Sequence, residues 1–190
     1  MARSNRERTE ATRLALIEAA RRLFVEKGYA ETATPDIVAE AGVTRGALYH
    51  HFEDKRALFR ATVEREAEAV AAQIETASAP SGTPRDALLS GACAYFDAMA
   101  EPGRTRLLLL EAPAVIGLED TFAIDRDNAE GTLKTGLRDL LGPHAGAEKL
   151  QALTDLLSAA FDRAAIAIEA GADRKAYEAA IADLIDGLRA

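Results

Sequence analysis

Among 190 residues there is one cysteine, Cys93, and no tryptophan. A lone thiol cannot close an internal disulfide, which excludes a disulfide scaffold and any multi-cysteine metal site. It lies among apolar residues and reads as a small core side chain rather than a redox sensor. No run approaches the ~18 apolar residues that a membrane span needs. Met1 to Glu10 are charged, with no apolar stretch behind them, so a secretory signal is not expected. β-branched residues are sparse and no convincing apolar–polar alternation is found, which argues against strands. No histidine sits beside an activated nucleophile in a plausible motif. A Walker loop, a dinucleotide fingerprint and a metal-ligand cluster are also missing. The expectation is a soluble cytoplasmic protein that is not an enzyme and calls for no cofactor.

What is present is helix-forming. Alanine, leucine, glutamate and arginine dominate, and these are strong helix formers. The formal charge of −8 would by itself discourage nucleic acid as a partner, but it is unevenly placed. Residues 1–60 hold 11 Lys/Arg against 9 Asp/Glu, and residues 61–190 hold 12 against 22. Such asymmetry points to a split in roles. Half of the ten aromatics also lie in the first 60 residues: Phe24, Tyr29, Tyr49, Phe52 and Phe59.

Along the chain, Ser4-Asn5-Arg6-Glu7 fits a capping box. A helix follows to about Lys27, with Leu16, Ile17, Ala20, Leu23 and Phe24 inward and Gly28 as a left-handed stop. Thr34-Pro35 reads as an N-cap and first helical residue. That helix ends at Gly42. Thr44 caps a third helix to about His50, and Asp54 caps a long fourth helix to about Thr76. Residues 78–84 form a linker. Beyond it helices are expected at about 84–100, 104–111, 120–141, 146–170 and 173–189.

Residues 34–51 have helix-turn-helix spacing, with Gly42 at the turn. Ile37, Val38, Ala41, Val43 and Leu48 would share a core, and Ala39 is small enough for a close crossing. One face of the third helix is then free for a DNA major groove. It carries Thr44, Arg45, Gly46, Tyr49, His50 and His51. Arg45 can donate two hydrogen bonds to a guanine edge. Thr34, Thr44, His51 and Lys55 can donate to phosphates, and Tyr49 can touch a thymine methyl or a phosphate. From spacing alone, a helical hairpin in a bundle core with a solvated charged face fits as well. Arg3, Arg6 and Arg8 read either as an arm along the duplex or as a basic tail.

The stretch Gly42-Val43-Thr44-Arg45-Gly46-Ala47-Leu48-Tyr49-His50-His51-Phe52, followed by Asp54-Lys55-Arg56-Ala57-Leu58, resembles the TetR/AcrR-type transcriptional regulators. The likeness covers roughly residues 10–60. It implies an all-α homodimer: a three-helix DNA-binding domain with the helix-turn-helix, then a C-terminal domain of about six helices for effector binding and dimerisation. The expected division is residues 1–53, a connecting helix over 54–77, and residues 78–190. Thr34, Thr44, Tyr49, His51 and Lys55 match phosphate- or groove-contacting positions of the family, and Arg45 and Gly46 match the base-reading end. Ala47 departs from the family pattern, where a hydroxyl is common. The implied function is a ligand-responsive regulator, most simply a repressor, on a palindromic double-stranded DNA operator. An activator of the same fold, or a helical interaction or ligand-sequestering module, is the alternative.

Leu150, Leu153, Leu157, Phe161, Ala164 and Ile168 recur at steps of three and four, as do Tyr177, Ile181, Leu184 and Leu188. Such stripes are ordinarily core. The resemblance assigns the last two helices to a dimer interface, with Leu153, Leu157, Ala160, Ala164, Tyr177, Ile181 and Leu184 as candidates. Effector cavities are mostly apolar with a few placed polar groups. The candidates here are Tyr95, Phe96, Met99, Phe122 and Phe161, with Glu111 and Asp162 as polar contacts.

Overall fold

The computed structural model describes residues 5–79, 82–143 and 146–188. Ser4 and Arg3 lie outside them, as does part of the 78–84 linker. Among the described residues the chain is all-helical.

Helix α1 (Asn5–Glu31) turns Leu16, Ile17, Ala19, Ala20, Leu23 and Phe24 into the core. Gly28 does not end it in a left-handed cap. Its φ of 81° and ψ of 164° lie in a region essentially reserved for glycine, and they kink the helix before a last turn at Tyr29–Glu31. The Thr32 hydroxyl donates to the carbonyls of Leu23 and Gly28 at the break. Phe24, Tyr29 and Phe59 pack with ring centroids 5.0–5.8 Å apart.

Helix α2 (Thr34–Glu40) starts one residue earlier than its sequence suggests. Ala33 holds the N-cap position without a side-chain bond, and Thr34 is already helical. Gly42, at φ +65°, makes the turn, with Val43 N–H donating to the Val38 carbonyl. Helix α3 (Arg45–His51) is capped by Thr44, whose oxygen accepts from Ala47 N–H. Ile37 and Leu48 are fully buried, and Val38, Ala41 and Val43 pack beside them. Ala39 is exposed, so the expected close crossing is not made there.

Helix α4 (Lys55–Ser78) begins where Asp54 accepts from Ala57 N–H. It is the spine of the molecule. Leu58 to Ala67 belong to one apolar core with α1, α2 and α3, while Val70 and Ile74 belong to a second. That second core is closed by α5 (Pro84–Met99), α8 (Ala129–Leu141), α9 (Ala147–Glu169) and α10 (Arg174–Gly187).

Two expected helices are differently built. Residues 104–111 do not form a separate α-helix. Arg106–Glu111 is a π-helical segment that runs into α6 (Ala112–Ile116), with Ala112 N–H reaching back to Leu107. Pro113 has no N–H for an i−4 bond, and its ring would crowd the carbonyl there; the widened turn relieves both. The expected 120–141 helix is divided into α7 (Leu118–Arg126) and α8. Asn128 breaks it at φ −128°, ψ −112°, its amide donating to the Ile124 carbonyl at 2.7 Å. An Asn side chain competes in this way with the helical ladder. Cys93 is exposed rather than a core residue.

Candidate nucleic-acid interface and inner cavities

The short turn at Gly42 and the buried anchors Ile37 and Leu48 leave the opposite face of α3 in solvent. Thr44, Arg45, Gly46, Tyr49 and His50 are exposed there, and Thr34 and His51 are half-buried beside them. Tyr49 is 45% exposed, with the Arg45 guanidinium 5.5 Å from its ring centroid. This contact orders a bidentate donor and an aromatic edge side by side. The cap bond uses the Thr44 oxygen as acceptor and leaves its O–H to donate outward. Burial, then the neighbouring His50 and Arg13, hold His51 below the ordinary histidine range, against a smaller opposing pull from Glu10. These surroundings favour its neutral imidazole.

Lys55 differs from expectation. Its ammonium donates to the carbonyls of Tyr29 and Thr32 at 2.9 Å each and lies 4.2 Å from the Tyr29 ring centroid. Two of its three protons secure the end of α1 to the start of α4, so its first task is structural.

The remaining predicted residues fall around two cavities. The smaller, about 460 Å³, lies between α4, α5, α8 and α9, and includes Tyr95, Phe161 and Asp162 in its wall. The larger, about 820 Å³, lies among α4, α7, α9 and the π-helical segment, with Tyr95, Met99, Phe122 and Asp162 in its wall. Phe96 lines neither. It is buried behind Tyr95 and Phe161, at ring-centroid distances of 5.6 and 5.8 Å.

Asp125 and Ser158 line both cavities and were not singled out from the sequence. The Ser158 hydroxyl donates to Asp125 at 3.1 Å, and the Tyr95 hydroxyl donates to Asp162 at 2.7 Å. Burial, then the Asp162 charge, pushes the Asp125 carboxyl up to about 6. Burial also raises Asp162, against the hydrogen bond from Tyr95. Asp125 was hidden because its role depends on Ser158 and Asp162 of α9. Its partner Ser158 lies 33 residues further along the chain.

Glu111 is not in either cavity wall. It accepts from Tyr29 N–H at 3.1 Å and pairs with Arg106 at 3.3 Å. Arg106 in turn donates to the carbonyls of Phe24 and Val25 at 2.7 Å each. The π-helical segment thus grips the kink of α1, while its Leu108 and Leu109 line the larger cavity. Arg56 makes a parallel link, donating to the Val115 and Ile116 carbonyls.

The expected dimer stripe is largely turned inward. Leu157, Ala164 and Ile181 are buried in the chain's own second core and are not free to meet another molecule. Leu153, Ala160 and Tyr177 are half-buried. Of the seven, Leu184 faces solvent, 51% exposed. On α9 the outward leucine is Leu156, 69% exposed, with exposed Ala152 and Ala159 one turn to either side. Leu156 and Leu157 are adjacent, and packing into the second core, where α9 lies mainly along α8, turns Leu157 in.

The fold defines a helix-turn-helix unit joined through one long helix to a helical body holding cavities. Comparison with known proteins gives it a family. The family model for bacterial regulatory proteins of the tetR family matches residues 16–62, and the tetracyclin repressor-like C-terminal domain matches residues 85–189. The chain belongs to the TetR family of transcriptional regulators, DNA-binding proteins rather than enzymes.

Among curated relatives it is 45% identical over 64 residues to the HTH-type transcriptional regulator TtgR of Pseudomonas putida, covering 34% of this chain and 30% of that protein. It is 43% identical over 65 residues to the repressor BepR of Brucella suis, covering 34% and 31%. These matches span about a third of the relatives' length. A TetR-family regulator from Pectobacterium atrosepticum is 31% identical, with TM-score 0.70, covering 98% of this chain and 95% of that one. FadR of Bacillus halodurans shares the fold at 14% identity and TM-score 0.75, covering 97% and 96%. Among the described residues, no helix is long and apolar enough to cross a membrane.

Proposed function

We propose that this protein is a ligand-responsive repressor that binds a palindromic operator as a homodimer and leaves it when a small molecule occupies the inner cavities. The observation that carries the reading is the double role of Arg106–Glu111. One side of this segment lines the larger cavity, and the other holds the α1 kink that Lys55 ties to α4. A ligand that alters the wall at Leu108 and Leu109 thereby bears on the DNA-binding unit. Coupling of about 1–3 kcal/mol would weaken operator binding about 5–150-fold.

In the dimer, recognition helices about 34–36 Å apart would reach successive major grooves. Leu156 and Leu184 are the side chains we assign to the interface, consistent with their exposure. Arg45 and Tyr49 would read bases, and Thr34, Thr44 and His51 would meet phosphates. The acidic remainder of the chain would hold the effector-binding body away from the duplex. Such a regulator works in the cytoplasm, where the chromosome lies.

Mobility shift on the DNA upstream of its own coding sequence tests the proposal. Two chains per inverted repeat are expected, with binding lost when one half-site is scrambled. Binding of one chain, or none, would refute it. A relative over 109 residues, 28% identical, is the activator FasR of Mycolicibacterium smegmatis. A reporter placed behind the bound site separates the two outcomes: repression raises expression on deletion of the gene, and activation lowers it.

A further inference from the structure

The two cavities meet at Tyr95, Asp125, Ala129, Ser158 and Asp162, which line both. Charge around this junction is one-sided. The ionisable acids and bases in the smaller wall are Glu75, Asp125, Asp127, Asp139 and Asp162, all acids. In the larger wall Asp125, Glu130, Asp155 and Asp162 face a single base, Arg126.

Elsewhere in the molecule a buried acid is matched. Glu66 receives both Arg21 and Arg104. Asp125 and Asp162 differ, because among the described residues neither forms an ion pair with Lys, Arg or His. Their side-chain donors are the neutral hydroxyls of Ser158 and Tyr95. Both acids are half-buried. Neutral donors orient a carboxylate but leave its charge uncompensated, and a partly desolvated uncompensated charge is costly. The consequence is visible in the raised proton affinity of both groups.

The surroundings suit an apolar body with a positive end. Ile74, Leu88, Val70 and Met99 supply apolar wall, and the Tyr95 and Phe161 rings stand 5.5 Å apart beside the acids. Aromatic faces attract a cation as well as an apolar group. Glu75, Asp127 and Asp139 are exposed at the rim of the smaller cavity, where they would concentrate cations and repel anions. A bare metal ion fits poorly. Among the described residues no group of three His, Cys, Asp or Glu could hold one.

We infer that the molecule this cavity takes is an organic cation, an apolar and partly aromatic body bearing an amine or quaternary centre, seated with its positive end against Asp125 and Asp162. This rests on the reading of the cavities as the effector site and adds to it the sign of the effector's charge.

Two probes of the same shape and opposite charge, tetraphenylphosphonium and tetraphenylborate, test it by calorimetric titration of the full chain. At about pH 8, well above the value of about 6 for Asp125, that carboxylate is ionised. The phosphonium is expected to bind about 30-fold or more tightly than the borate. Asp125→Asn and Asp162→Asn should each weaken the phosphonium by about 30-fold and narrow the preference. Circular dichroism establishes that the variants fold, and the charge preference of the unaltered chain decides the matter if they do not. Borate binding as tight as phosphonium, no phosphonium binding, or folded variants that bind it unchanged would each overturn the inference. Operator binding is read separately, by anisotropy on labelled upstream DNA. Phosphonium bound at the acids with operator affinity unchanged keeps the cation assignment and refutes the effector reading. Operator release by the borate alone does the reverse.

Discussion

Arg104 donates to one oxygen of Glu66 at 2.8 Å, with both side chains only 8% exposed, and Arg21 takes the other oxygen at 2.9 Å. The Arg104 guanidinium also donates to the Ala98 carbonyl at 2.7 Å. One buried carboxylate therefore joins α1, α4 and the segment following α5. Burial would raise Glu66, but the hydrogen bonds and charges of the two arginines outweigh it and hold the group below the usual carboxylate range.

Breaking one member should hurt more than removing two. Arg104→Met leaves Glu66 buried with half its compensation, and a loss of about 3–5 kcal/mol is expected. The double variant Arg104→Met with Glu66→Leu removes the buried charges together. It should recover most of that loss, since Arg21 keeps Glu101 at 3.6 Å. Urea unfolding of the three proteins checks this, and equal losses in single and double variants would contradict it.

Buried Glu66 and half-buried Asp125 should respond to pH with opposite sign. Glu66 titrates lower when folded, so its contribution is full above the ordinary carboxylate value and is lost as pH falls. Asp125 titrates at about 6 when folded, against 3.8 ordinarily, with Asp162 and Glu130 facing it and Ser158 donating to it. The folded chain then binds more protons than the unfolded one between these values. Its stability falls as pH rises through that window. Asp125→Asn keeps a polar side chain beside Ser158 and removes the charge. It should stabilise the protein by about 1–3 kcal/mol near pH 8 and by nothing below about pH 4. Thermal unfolding at both pH values measures it, and a pH-independent difference would rule out the carboxyl as its source.

Much of the DNA-binding unit was legible because its signals are local. The inward face of α1, the Gly42 turn, and the Thr44 and Asp54 caps each depend on residues within a turn of one another. The misread features depend on distant partners. Glu111 is explained by Tyr29 N–H, 82 residues away. Lys55 looked free for a phosphate until the carbonyls of Tyr29 and Thr32 were placed beside it. On α9, Leu153, Leu156 and Leu157 make both faces apolar, so periodicity cannot choose the inward one. Asp125 is defined by Ser158 on α9, 33 residues away.

Lys55 and Arg45 should now be distinguishable. Arg45→Ala is expected to cost about 1–3 kcal/mol on the operator and to relax specificity at one base position, with folding unchanged. Lys55→Ala removes the tie between α1 and α4, so it should lower the unfolding midpoint. The salt dependence of DNA binding should keep its slope, because no phosphate contact is lost. A slope reduced by about one contact would return Lys55 to the phosphate-binding set.

Light scattering of Leu156→Arg and Leu184→Arg tests the assigned interface. Each puts a charge where an exposed leucine would be covered by a second copy, and a shift from dimer to monomer is expected. Each folded monomer should then lose cooperative binding to an inverted repeat. Substitution of Leu157 instead should damage folding itself, since that side chain lies in the second core. A dimer undisturbed by both arginine variants would move the interface elsewhere.

The link between cavity and DNA-binding unit can be cut without touching either end. Arg106 and Glu111 contact no residue of the recognition face, and neither lines a cavity. Arg106→Met removes the donations to Phe24 and Val25, and Glu111→Gln removes the charge that Arg106 faces. With α1 still packed through Leu16, Phe24 and Phe59, ligand-free operator affinity should change little. The ligand-induced weakening should shrink from the expected 5–150-fold toward none, because the wall at Leu108 and Leu109 would no longer pull on the α1 kink. Anisotropy titrations on the operator, with and without a ligand shown to bind, give both quantities. A full ligand response in Arg106→Met would place the coupling on the parallel link from Arg56 to the carbonyls of Val115 and Ile116.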